Sequence, residues 1–229
     1  MTAVLFLLAV MVITTMTYVD KTAQSTSAVG YIQNDLTVIL DAGHGGEDGG
    51  AVANGITEKD INLSISNKLD EVLRLNGFRV ILTRNTDKMI NTEGDTLRAR
   101  KLSDMKNRLN LFNSSENNVV ISIHQNKFPV EKYQGAQVFY SINNPNSRKL
   151  ALSLRENIRT LIQPYNEREI KPAGREIYLL DNAETPAVII ECGFLSNPKE
   201  AEKLSNSDYQ DKLVFAFMSG FLDFYNNEV

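Results

Sequence analysis

From residue 37 onward, short apolar runs alternate with stripes of apolar residues at helical spacing. Val38-Ile39-Leu40 is brief, partly β-branched and followed by a polar residue, which predicts a buried strand. Ile61, Ile65, Leu69 and Val72 then mark one face of a helix ending near Asn76-Gly77, a suitable C-cap. Thr57, with Asp60 three residues on, is placed to cap its start. Residues 79–83 predict a second strand, and residues 84–96 a polar loop. Leu102, Met105, Leu109 and Phe112 form the stripe expected of a second long helix.

Residues 119–123, VVISI, read as a strand buried on both faces, and residues 137–140 as a shorter one. Leu150, Leu154, Ile158 and Leu161 line a further helix, stopped by Pro164. Residues 165–176 are charged and loop-like, 177–180 predict a strand, and 187–190 a strong one. Leu213, Phe217, Phe221 and Phe224 recur through a closing helix. This alternation predicts a three-layer α/β/α domain with a mostly parallel central sheet of about six strands.

The N-terminus departs from that pattern. Residues 3–13, AVLFLLAVMVI, are too few to span a bilayer comfortably but match the apolar core of a secretory signal, although no Lys or Arg precedes them. Thr26-Ser27-Ala28 offers a small-residue cleavage site. We therefore expect a signal or membrane-anchor segment over 1–19, a polar linker over 20–35 and a catalytic domain over 36–229. The domain is then exported and works outside the cytoplasm, anchored or secreted.

A chain of 229 residues suits one such domain, and a net charge of −4 gives no support for nucleic-acid binding. The single cysteine, Cys192, excludes an internal disulfide and any CxxC metal site. A metal must therefore be held by His, Asp or Glu, and the chain has only two histidines, His44 and His124.

His44 lies in a loop with Gly43, Gly45, Gly46, Gly49, Gly50 and Gly55, between the first strand and the first helix. The loop carries neither GxGxxG nor GxxxxGK[ST], which argues against a nucleotide. Its acids, Asp41, Glu47 and Asp48, come without a cation and suit a metal better than a phosphate. His124 ends VVISI, Glu191 ends AVII, and Glu58 opens the first helix. In a parallel sheet all four reach the edge where such folds bind ligands. Two imidazoles and a carboxylate are the ligand set of hydrolytic zinc sites, and a second carboxylate can serve as general base. Spacing alone leaves open which carboxylate does which.

VILDAGHGGEDGGA (residues 38–51), SIHQN from Ser122 and PAVIIECGFLSN from Pro186 together resemble the zinc-dependent N-acetylmuramoyl-L-alanine amidases. The resemblance runs from about residue 37 to the end. It implies Zn2+ on His44, Glu58 and His124, with Glu191 as the catalytic glutamate. It also implies cleavage of the amide between N-acetylmuramic acid and L-alanine in peptidoglycan. Arg108 and Asn113 stand where that family keeps an arginine and an asparagine.

Gln125 and Cys192 replace residues that are usually small and apolar there. Gln125, Asn126 and Arg108 are the expected substrate-binding residues, and Cys192 is expected to point away from Glu191. The segment 140–147 leaves no room for an inserted blocking helix, and no wall-binding module is evident. A separate activating protein partner is therefore expected. These features are most similar to the spore-cortex, CwlD-like branch, acting in the wall or the forespore intermembrane space. A zinc peptidase of another substrate class and a catalytically idle wall-binding protein are the rival readings.

Overall fold

The computed structural model describes residues 36–228. The expected segments 1–19 and 20–35 lie outside them. Among the described residues, no helix is long and apolar enough to cross a membrane.

The chain begins with β1 (Thr37–Ala42), buried throughout, then a small antiparallel pair, β2 (Val52–Ala53) and β3 (Ile56–Thr57). Helix α1 (Glu58–Leu75) and β4 (Arg79–Leu82) follow, then α2 (Leu97–Phe112) and β5 (Asn118–Asn126). Next come β6 (Gln137–Tyr140), α3 (Pro145–Leu161), β7 (Lys171–Pro172), α4 (Tyr178–Asn182) and β8 (Ala187–Phe194). Helices α5 (Pro198–Ser205) and α6 (Ser207–Glu228) close the chain.

The main sheet has six strands in the order β4-β1-β5-β8-β6-β7, all neighbours parallel except β6 and β8. This is the expected three-layer α/β architecture. On one face, Ile39, Val120, Ala187 and Ile189 pack against Phe112 of α2 and Leu179 and Leu180 of α4. On the other, α1 packs on β1 and β5, α3 on β6 and β8, and α6 on both helices. There the apolar stripes predicted for α1, α3 and α6 are buried, apart from half-buried Val72 and exposed Leu161.

Four local expectations are corrected. Residues 177–180 form the N-cap and first turn of a short helix, α4, not a strand. Adjacent Leu179 and Leu180 are both buried against one face, which a helical turn allows and a strand's alternation does not. The sheet edge is taken instead by β7, inside the stretch expected to be loop, where Pro172 is tolerated. Thr57 holds the N-cap position of α1 without a side-chain cap. The backbone carbonyls of Ala51 and Gly49 accept from Glu58 N and Lys59 N, so the glycine loop itself caps the helix. Helix α2 buries a mainly polar face, Ser103, Asp104 and Arg108 with Phe112, while Leu102 of the expected stripe is exposed.

Candidate metal and catalytic site

The register explains why the dispersed residues meet. Asp41 is paired with Ser122 across β1 and β5, and His124 with Glu191 across β5 and β8. Paired residues share a sheet face. The carboxyl ends of β1, β5 and β8 thus deliver the His44 loop, His124 and Glu191 to one place. The register of β5 against β8 slips between His124 and Asn126, a bulge directly at the site.

His44 has a φ of +63°, uncommon for a side chain other than glycine. The turn is held by paired backbone hydrogen bonds between Gly45 and Asp48, and Asp48 Oδ2 lies 2.8 Å from His44 Nδ1. That contact leaves His44 Nε2 facing Glu58 Oε1 at 3.3 Å. His124 Nδ1 approaches the same oxygen at 2.9 Å. One ligand atom from each of His44, Glu58 and His124 lies within 4.8 Å of the other two, a group able to hold a metal ion. Gly43 and Gly50 make room for it. A Cβ at Gly43 would overlap the His124 ring, and one at Gly50 would meet the Glu58 carboxylate and His44.

Glu58 is almost fully buried, and its other hydrogen bonds fix it in place. Ala51 N donates to Oε2 at 2.7 Å; Gln125 N and Asn62 Nδ2 donate to Oε1 at 3.0 and 3.3 Å. Burial alone would push its carboxyl up, but His124 and His44 hold it well below the usual range. Burial lowers His44, yet Asp48 and Glu58 outweigh it and raise the imidazole to about 9. The pocket therefore favours positive charge at its centre, as a cation site must.

Glu191 is different. Burial pushes its carboxyl up to about 7, and one oxygen is enclosed without a hydrogen-bond partner. It is paired with His124 across β5 and β8 and is not one of the three residues that could hold a metal.

Beneath the site lies a buried ionic network. Asp41 takes hydrogen bonds from Thr83 Oγ1, Ser122 Oγ and Arg108 Nη1. Arg108 also donates to Asp104, to the Ala42 carbonyl and, at 2.8 Å, to the His44 carbonyl. All three guanidinium nitrogens are thus engaged with protein acceptors and the side chain is buried, so Arg108 braces the loop instead of meeting substrate. Gln125 is corrected similarly. It is buried with its amide on Asn62 Oδ1, because strand alternation turns it to the face opposite His124. Asn126 remains at the rim of a cleft.

Asn113 ties α2 to the approach to β8 through Asn182 O and Glu184 N, away from the site. Cys192 is fully buried on the face opposite Glu191, and burial pushes its thiol up, which makes it inert. Arg84 was not anticipated. It is buried and donates to the carbonyls of Ala42, Gly43 and Lys59, pinning the loop to α1. Its one signal is its position at the carboxyl end of β4, on the edge where the site forms.

Comparison with known proteins places the chain in a family. Residues 38–222 match the family model for N-acetylmuramoyl-L-alanine amidase. The germination-specific N-acetylmuramoyl-L-alanine amidase of Bacillus subtilis is 36% identical over 192 residues, covering 83% of this chain and 80% of that protein. Among solved structures, the CwlD amidase of Clostridioides difficile, determined in complex with the GerS lipoprotein, is similar with a TM-score of 0.80. It shares 40% identity over 84% of this chain and 99% of that one. An N-acetylmuramoyl-L-alanine amidase of Clostridium difficile 630 aligns with a TM-score of 0.74 and 30% identity, over 86% of this chain and 100% of that one. The chain belongs to the N-acetylmuramoyl-L-alanine amidase family.

Proposed function

We propose that the chain is a zinc-dependent amidase of spore-cortex or wall peptidoglycan, with His44, Glu58 and His124 as metal ligands and Glu191 as the proton-handling group. One observation carries this reading: three converging N, N and O donors beside a second carboxylate, Glu191, one of whose oxygens is enclosed and unpartnered. The donor set fits zinc, which takes imidazole and carboxylate ligands and keeps a position open when catalytic. When bound, zinc supplies Lewis acidity at a carbonyl and lowers the pKa of water.

The chain's own residues do the rest. Asp48 orients His44 through Nδ1, and Glu58 is held by three donors before any metal arrives. Glu191 accepts a proton from the attacking water and returns it to the departing alanine nitrogen. The lack of side chains at Gly43 and Gly50 keeps the imidazoles and Glu58 free to converge. Gly43→Ala is expected to lower zinc affinity about tenfold or more, read by competition with a chelating dye, because His124 must rotate away. Unchanged affinity in a folded variant would contradict the assigned role of His124.

A cortex role is supported by the likeness to the germination-specific amidase. Digestion of vegetative and cortex muropeptides by the full chain tests it, with cortex material expected to be cleaved. Activity on vegetative wall alone would count against it.

Residues 3–13 support an extracytoplasmic location. Fusing residues 1–36 to a reporter active only after export should give signal; a reporter retained in the cytoplasm would contradict export. The relative seen with a lipoprotein supports a protein partner for this chain too. Activity unaltered by extract of sporulating cells would argue against one.

A further inference from the structure

A cleft of about 200 Å³ opens beside Glu191 on the same face of the sheet. Gln137 is paired with Glu191, Phe139 with Ile189, and Lys171 with Phe139, so their side chains continue that face from β8 across β6 to β7. Asn126, two residues beyond His124 on β5, closes the near end, and Phe194 and Arg168 complete the wall.

The charges in the cleft are all of one sign. The Arg168 guanidinium lies 4.7 Å from the centre of the Phe194 ring and 5.8 Å from that of Tyr133. Its Nε donates to the Gln134 carbonyl at 3.0 Å, while its two terminal nitrogens have no protein acceptor among the described residues. Lys171 is exposed, and its ammonium likewise takes no hydrogen bond or ion pair there. Glu200, the acid facing Arg168, is buried and occupied by Gly135 N and Phe194 N. Glu169 is engaged with Arg155. An aromatic floor with two cations, both holding spare donors and no acid in the lining, is built for an apolar stem ending in an anion.

Distance selects the anion. Two residues along β5 span about 6.6 Å, and each strand step across the sheet about 4.8 Å. The cleft therefore lies roughly 7–14 Å from the metal donors, the reach of two to four extended peptide residues at about 3.5 Å each. Resting on the amidase reading above, we propose that this cleft binds the free carboxylate of a stem residue beyond L-alanine. Arg168 and Lys171 are its specificity determinants.

The test uses the full chain loaded with zinc and two muropeptides of identical glycan and stem, one with free and one with amidated stem carboxylates. The wild type is expected to favour the free acid about tenfold in kcat/KM, mainly through KM. That factor corresponds to about 1.4 kcal/mol of differential binding. Lys171→Gln and Arg168→Gln should each bring that ratio toward one. Lys171 is exposed and unpaired, so its replacement leaves the fold intact, and a merely structural role at Arg168 would slow both substrates and preserve the ratio. Equal cleavage of the two by the wild type, or a ratio unmoved by both substitutions, overturns the subsite. Dependence on glycan length in place of stem charge would reassign the cleft to sugar. Failure to cleave either substrate overturns the amidase reading on which the subsite rests.

Discussion

Glu191→Gln is expected to retain zinc and fold while losing about 10²–10⁴ in rate, the usual cost of removing a general base. At about 1.36 kcal/mol per decade, that is roughly 3–5 kcal/mol of transition-state stabilisation. The substitution keeps the side-chain volume and removes only the group that holds the proton. His44→Ala and His124→Ala are expected to lose zinc as well, because two remaining protein ligands do not close a stable site. Metal content by mass spectrometry beside release of free L-alanine amino groups separates the two outcomes. If Glu191→Gln loses zinc as fully as His44→Ala, Glu191 is a ligand and the assignment of roles is wrong.

The second large effect is on stability. Asp41→Asn breaks one of the two buried ion pairs of Arg108 and leaves Asp104 as its remaining carboxylate partner; breaking a buried pair by removing one partner costs about 3–5 kcal/mol. For a domain of this size that lowers Tm by roughly 6–20 °C. The loss should depend on pH. Burial pushes the Asp41 carboxyl up, but Arg108, His124 and the hydroxyls of Ser122 and Thr83 outweigh it and hold it below its ordinary value. Its stabilisation is therefore present above the unfolded value of about 3.9 and is lost as pH falls through the lower folded value. Thermal melts of wild type and variant should keep their full difference near neutrality and begin to converge only as pH falls below about 4. A variant melting within about 1 °C of wild type at pH 7 would show that the network contributes little.

The convergence of the candidate residues was legible because they lie at or just beyond strand ends. An apolar run finishing in His or Glu is visible without coordinates, and two histidines in the whole chain leave few ways to build a metal site. The same rule brought out the sheet, since VVISI and AVIIE can be buried on both faces only at its centre. What remained hidden depends on tertiary partners. Arg84 and Arg108 look like ordinary loop and helix-surface cations until the carbonyls of Ala42, Gly43, His44 and Lys59 are placed around them. Apolar periodicity missed the polar part of the buried face of α2, because Asp104 and Arg108 serve the Asp41 network while Phe112 and half-buried Leu109 reach the hydrophobic core. Gln125 was misplaced for a simpler reason: one step along a strand reverses a side chain, and His124 already faced the site. The run at 177–180 was too short for periodicity to separate strand from helix.

The most direct measurement is product analysis on one defined muropeptide, a disaccharide carrying a peptide stem, treated with the full chain before and after zinc is removed by chelation. Two products are expected from the zinc-loaded protein, a free disaccharide and a stem with an unblocked L-alanine amino terminus. Neither is expected after chelation, and both again when zinc is restored. Cleavage within the stem, between the sugars, or undiminished without the metal would contradict it.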